Sequence, residues 1–190
     1  MQYQVAQMTG LQHSSAQSGL HITPLSEREF DTYIEVGTNA YNQHYRHLWK
    51  DLDTTPYLEN SFTKEVLQMA LSDLNSELFL LYYEGIAVGI LKIIKDSPAF
   101  PYSPKEALLL DKIYILDTYS GQGLGALVLD FVIARACDLN KKVVWLESMQ
   151  NSPALHFYTK NGFEIYKEST HPFPAVFEDQ RPMFILYKKV

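Results

Sequence analysis

The sequence predicts a single α/β (α+β) domain, a mixed sheet with helices on both faces, and three observations carry that expectation. Apolar residues recur at helical spacing up to about residue 74 and then give way to β-rich runs. Glu84-Gly85 lies between two such runs as a two-residue hairpin signal. The apolar run from Ala107 to Leu116 leads through a glycine-rich turn into a helical pattern, which is strand, turn and helix in succession. At 190 residues one core is the default, since domains typically run from ~50 to ~250 residues.

In chain order, Leu20 to Thr23 is a short apolar alternation closed by Pro24, read as a strand. Ser26 offers an N-cap with Glu29 in capping-box spacing, and Phe30, Tyr33, Ile34 and Gly37 share a face of a helix running to about Asn39. The segment from Tyr41 to Tyr57 holds Tyr41, His44, Tyr45, His47, Trp49 and Tyr57, either the lining of a pocket or one edge of the core. Ser61 opens a second capping-box spacing, followed by Phe62, Val66, Leu67, Ala70, Leu71 and Leu74 along an amphipathic helix. Strands follow at Glu77 to Tyr83 and Ile86 to Ile94, then a loop broken by Pro98, Pro101 and Pro104.

Ala107 to Leu116 reads as a central strand with Asp111 and Lys112 inside it, and Gly123 to Leu139 as a helix. Val143 to Leu146 is a buried strand. Ser152 caps a helix with Pro153 at its first position, where the missing N–H costs nothing, and Asn161-Gly162 stops it. Two closing strands, Phe163 to Ser169 and Met183 to Lys188, complete the order βααβββαβαββ, with no internal repeat. Residues 1–19, rich in Gln and Ser, are expected to be a flexible leader, and 20–190 the domain.

Sixteen Lys and Arg against 22 Asp and Glu give a net charge of −6, which argues against nucleic acid and anionic membranes as partners and suits a cationic substrate. The one cysteine, Cys137, excludes an intrachain disulfide or a Cys-based metal cage, and is expected to pack as a small hydrophobe in its helix. No stretch approaches the ~18 apolar residues of a membrane span, and the start has no signal-peptide core, so a cytoplasmic protein is expected. His44, His47 and His156 lack a metal-ligand partner set, and no metal is expected.

A strand ending near Leu116, then Gly121, Gly123 and Gly125 opening a helix, makes a site for phosphate or pyrophosphate. Without β-carbons the backbone approaches the ligand closely, and the unpaired N–H groups of the first helical turn point at the anion. A Rossmann site would place this turn after the first strand of a βαβ array, whereas several strands precede it here. A P-loop needs Gly-Lys-Ser/Thr, but Ala126 and Leu127 follow Gly125.

The arrangement resembles the GNAT superfamily of N-acetyltransferases, whose motif is Arg or Gln, two variable residues, Gly, one variable residue, then Gly or Ala. Here it reads Ser120-Gly121-Gln122-Gly123-Leu124-Gly125, with Ser120 where Arg or Gln is usual, after a strand ending Ile113-Tyr114-Ile115-Leu116. Downstream, Asn151-Ser152-Pro153-Ala154-Leu155-His156-Phe157-Tyr158 and Lys160-Asn161-Gly162-Phe163 look like the family's second cofactor motif. The resemblance implies a mostly antiparallel sheet splayed between its fourth and fifth strands, with acetyl-coenzyme A held in the splay as co-substrate. It places cofactor contacts at Ile113, Tyr114, Ile115, Ser120 to Gly125, Asn151 and Tyr158.

By the same resemblance an amine attacks the thioester directly, a backbone N–H near Ile113 to Ile115 holds the oxyanion, and Tyr158 protonates the leaving thiolate. Asp111 and Glu147 flank the splay as candidate bases, and Asp111 is equally placed to bind a cationic substrate or to pair with Lys112. Tyr41, His44 and Tyr45 fall in the segment that in the family contributes to the acceptor site. The acceptor is then a small-molecule amine, with a polyamine or other small cation favoured. A peptide acceptor or a non-catalytic acyl-coenzyme A sensor is the alternative, and the analogy leaves room for a homodimer.

Overall fold

In the computed structural model, which describes residues 19–99 and 101–190, the β-rich runs become seven strands. They are β1 (Leu20–Pro24), β2 (Ser76–Tyr83), β3 (Ile86–Ile94), β4 (Ala107–Ile115), β5 (Val143–Met149), β6 (Glu164–Thr170) and β7 (Pro182–Lys189). The helical runs become α1 (Phe30–Tyr45), α2 (Thr55–Glu59), α3 (Lys64–Ser72), α4 (Leu124–Asp138) and α5 (Pro153–Lys160). Apart from Gly19, the expected leader lies outside the described residues.

All seven strands form one sheet in the order β1-β2-β3-β4-β5-β7-β6, so the last strand inserts between β5 and β6. Every neighbouring pair is antiparallel except β4 and β5. That parallel pair holds only from Ala107↔Val143 to Leu109↔Trp145, after which the strands part. The β2–β3 connection is the expected two-residue turn, with Glu84 at φ 51° and Gly85 at φ 80°, the left-handed pair that matches the twist of its strands.

A β-bulge lies just past the point where the splay begins. Lys92 faces Lys112 and Ile93 faces Leu110, so Asp111 is an extra residue on β4 with no partner on β3. Because side chains alternate, one inserted residue exchanges the faces of everything after it. Leu108 and Leu110 pack with α4 before the bulge, and Ile113 and Ile115 do so after it. Tyr114 and Leu116 thereby join the opposite cluster, built on α1 and α3.

Those two clusters are the two halves of the core. Val128, Val132 and Ala136 of α4, each 0% exposed, cover one face. Tyr33 and Val36 of α1, with Leu67 of α3 and Trp49, cover the other. At about 1.5–3 kcal/mol per fully buried aliphatic side chain, these faces carry most of the drive to fold. Gly125 lets α4 lie against α5, since a Cβ there would stand 3.0 Å from the Phe157 ring.

Several boundaries differ from the sequence expectation. The first helix continues past Asn39 to Tyr45, because Ala40 and Tyr41 extend its buried face and no stop residue intervenes. The aromatic segment contains a short extra helix, α2. The cap of α3 is Thr63, whose Oγ1 accepts from Val66 N–H at 3.2 Å, rather than Ser61, and Leu74 lies beyond the helix, 88% exposed. Strand β5 runs on to Met149. Cys137 is exposed on α4 instead of packed.

The cap of α5 is as expected, with Ser152 Oγ accepting from Leu155 N–H at 3.3 Å. Ser152→Ala should therefore cost about 1 kcal/mol of stability, read as a lower thermal midpoint, and an unchanged midpoint would remove the cap from the account.

Candidate active site

The connection from β4 to α4 begins with one 3-10 turn, Asp117–Tyr119, and Ser120 donates its N–H back to Asp117 at 2.9 Å. Gly121 (φ 75°) and Gly123 (φ 81°) then take left-handed conformations that side chains rarely adopt, and a Cβ on either would meet nothing within 4 Å. The N–H groups of Gly121, Gln122, Gly123, Leu124 and Gly125 meet no acceptor among the described residues, a row of donors opening a helix of 15 residues. Ser120 is exposed and its N–H is already used, so the row of free backbone donors begins at Gly121. Leu124 contributes only its backbone, since its side chain is 3% exposed in the core.

Beyond Leu109 the β4 edge has no strand beside it. Leu116 N–H donates to Val88 O at 2.8 Å, so that residue points toward β3. By alternation the N–H and C=O of Ile113 and Ile115 point the other way, into the splay. One of these groups is engaged: His44 Nε2 donates to Ile115 O at 2.9 Å, tying α1 to the end of β4.

The splay opens on a cavity of about 250 Å³ between β4, β5, α1 and the β6–β7 connection. Tyr41, Tyr45, Asp111, Glu147 and Tyr158 all line it, whereas His44 does not. Asn151 sits outside it, exposed in the turn between β5 and α5. Its roof is the β6–β7 connection, anchored where Lys50 N–H donates to Ala175 O and Phe177 N–H to Leu48 O, each at 2.9 Å. A second cavity of about 280 Å³, between Trp145, Tyr166 and Tyr187, holds none of the motif residues.

Tyrosines dominate the α1 side. Tyr41 stacks on Tyr57 with centroids 3.9 Å apart, and the Tyr57 and Tyr114 hydroxyls are 2.6 Å apart. Tyr158 is 9% exposed, packed between Phe157 and Phe163, and its hydroxyl has no hydrogen-bond partner among the described residues. Burial, and then the proximity of Tyr45, push its pKa up. Tyr45 itself is pushed up to about 12 by burial and by Tyr57. Both rings therefore stay protonated at neutral pH.

Asp111 Oδ2 lies 2.9 Å from Lys112 Nζ and 3.1 Å from Lys92 Nζ. Burial works to raise its pKa, but Lys112 and Lys92 outweigh that and hold the carboxyl below its usual range. A carboxylate so paired is a poor proton acceptor at neutral pH. Because its folded pKa lies below the unfolded value of about 3.9, its stabilisation is present above that pH and lost as pH falls through the folded value. Asp111→Asn should thus be less stable by about 1–3 kcal/mol at pH 7, with the gap closing in acid; a gap independent of pH would contradict the pairing. Glu147, across the splay on β5, is exposed and makes no ion pair among the described residues.

Sequence reasoning missed His171, a cavity-lining residue 8% exposed in the Pro-rich β6–β7 connection. Its Nδ1 accepts from Phe173 N–H at 3.3 Å, which puts the proton of the neutral ring on Nε2. Burial and then Arg181 lower its pKa, against that backbone bond, so the ring is neutral near pH 7. It also missed the Tyr57–Tyr114 pair and Lys92, contacts between segments far apart in the chain. Among the described residues no group of three or more His, Cys, Asp or Glu is placed to hold a metal ion.

A sequence model of the acetyltransferase (GNAT) family matches residues 36–163. An uncharacterized N-acetyltransferase in the pepI 3′ region of Lactobacillus delbrueckii subsp. lactis is 24% identical over 173 residues, covering 90% of this chain and 98% of that protein. The L-ornithine N5-acetyltransferase NATA1 of Arabidopsis thaliana is 25% identical over 161 residues, covering 81% of this chain and 67% of that one. The PaiA N-acetyltransferase of Thermoplasma acidophilum, solved in complex with coenzyme A, superposes with a TM-score of 0.70 at 18% identity, covering 90% of this chain and 99% of that one, a likeness of fold.

Proposed function

The chain belongs to the acetyltransferase (GNAT) family, and from that premise we propose that it moves an acetyl group from acetyl-coenzyme A to the primary amine of a small molecule. The observation that carries the reading is the row of unpaired N–H groups from Gly121 to Gly125, at the helix end of the connection that leaves the splayed strand. Those donors and the positive helix end suit a pyrophosphate, and the two left-handed glycines leave room for it to approach. The cavity of about 250 Å³, walled on the α1 side by Tyr41, Tyr45 and Tyr57, has room for a small amine.

Acetyl transfer forms one N–C bond and breaks one C–S bond. The N–H groups of Ile113 and Ile115 face the splay and hold the carbonyl oxygen as it gains charge. Tyr158, kept protonated by burial, gives its hydroxyl proton to the departing sulfur and regains one from the second proton that the attacking nitrogen sheds as the amide forms. The ammonium of the acceptor must lose a proton first. Asp111 is occupied by two lysines, which leaves Glu147, exposed on the cavity wall, to take that proton directly or through water. Tyr41 and Tyr45 present ring surface to the acceptor, and His44 acts indirectly by fixing α1 against β4.

Ligand-induced stabilisation and initial-rate kinetics together test the proposal. Coenzyme A at about 100 times its Kd should stabilise the fold by about 2.7 kcal/mol, while a nicotinamide dinucleotide should not. Varying acetyl-coenzyme A at several amine concentrations should give intersecting lines, as attack within a ternary complex requires. Parallel lines would instead mean an acetylated protein, and a dinucleotide that displaced coenzyme A would place the chain's activity outside acetyl transfer.

A further inference from the structure

We infer that the acceptor carries a carboxylate as well as its amine, and that Lys112 holds it; this rests on the acetyl-transfer reading and names the substrate class of the same cavity. The bulge at Asp111 brings Asp111 and Lys112 together opposite Lys92. Three charged groups share one spot on the α1 face, and both ammoniums lean on a single oxygen, Asp111 Oδ2. Neither lysine has another acidic partner among the described residues.

The group therefore sums to one positive charge, in side chains only 12%, 22% and 26% exposed for Lys112, Lys92 and Asp111. An excess cation held so far out of water is costly until an anion reaches it. Lys112 is the lysine that lines the cavity, with Nζ 5.8 Å from the centre of the Tyr57 ring. A ring face partly offsets a cation but supplies no counter-charge.

On the opposite wall stands Glu147, exposed and without an ion-pair partner among the described residues. The cavity is thus positive on the β4 side and negative on the β5 side, the complement of a zwitterion with its carboxylate at Lys112 and its reacting amine toward Glu147. A diamine would set one of its cations against Lys112. The lysine pair also removes the reason to read Asp111 as the receptor of a free cation.

The matched acceptors ornithine and 1,4-diaminobutane differ by one carboxylate, so their acetylation rates isolate its effect. The carboxylated member should have kcat/KM at least about ten-fold higher, chiefly through KM, which is what one partly buried ion pair supplies. Lys112→Met should bring the ratio of the two toward one, and Lys112→Arg should preserve a preference for ornithine. Equal or better use of the diamine by the unaltered protein, or a ratio unmoved in Lys112→Met, overturns the inference while leaving acetyl transfer intact. If neither amine is acetylated, the transfer reading is judged on the wider amine panel. Calorimetric binding of both compounds to the coenzyme A-saturated protein then decides the carboxylate, with ornithine tighter in support and equal or weaker binding against.

Discussion

Tyr158→Phe is expected to lower kcat by about 10²- to 10⁴-fold while coenzyme A affinity stays within about two-fold, the pattern of a lost proton donor. The substitution removes one oxygen that has no hydrogen-bond partner among the described residues and leaves the ring between Phe157 and Phe163, so the thermal midpoint should hardly move. Since burial raises the Tyr158 pKa, the wild-type rate should show no loss from tyrosine ionisation between about pH 7 and 9. Thiol release gives kcat and calorimetry gives the affinity. An undiminished kcat would mean that the proton reaches sulfur from another source.

Gly123→Val should weaken coenzyme A binding by roughly 100-fold or more, through the backbone and not through the core. At φ 81° a β-branched residue costs about 1–2 kcal/mol to hold, so the turn relaxes and its N–H row loses alignment. A Cβ at Gly123 meets no described atom within 4 Å, so the side chain is added on the open side of the turn, where an anion would approach. Without ligand the variant should melt only a few degrees below wild type. Gly125→Val is the contrast, because its Cβ falls against Phe157 and the damage appears as lost stability. Wild-type affinity in Gly123→Val would detach the turn from cofactor binding.

The parts of this architecture that were legible in the sequence are those set by local chemistry. Gly85, Ser152-Pro153, Gly121 and Gly123 each favour their backbone conformation by residue type, and the structure has the turn, the cap and the glycine-rich connection at the expected positions. The mixed sheet splayed between β4 and β5 follows the family resemblance. The bulge did not announce itself. Leu108, Leu109 and Leu110 are apolar on both faces of a central strand, so no alternation marks where the parity of β4 changes.

That hidden shift decides much of the cavity's β4 wall. It turns Tyr114 toward Tyr57 and Lys112 toward the cavity, and it sets Asp111 between Lys112 and Lys92. His171 was invisible for a different reason. It lies in a Pro-rich connection whose path over the cavity is fixed by backbone bonds to Leu48 and Lys50, more than a hundred residues away in the chain. His44, chosen from its place in the aromatic segment, proves to be a tie between α1 and β4.

The most direct test of the central claim is a product measurement with isotopically labelled acetyl-coenzyme A over a panel of small amines, read by mass. The account predicts an amine that gains the labelled acetyl group, one coenzyme A thiol released for each product molecule, and no label left on the protein. Coenzyme A bound without any labelled amine, or thiol released as label passes to water or remains on the chain, would contradict it.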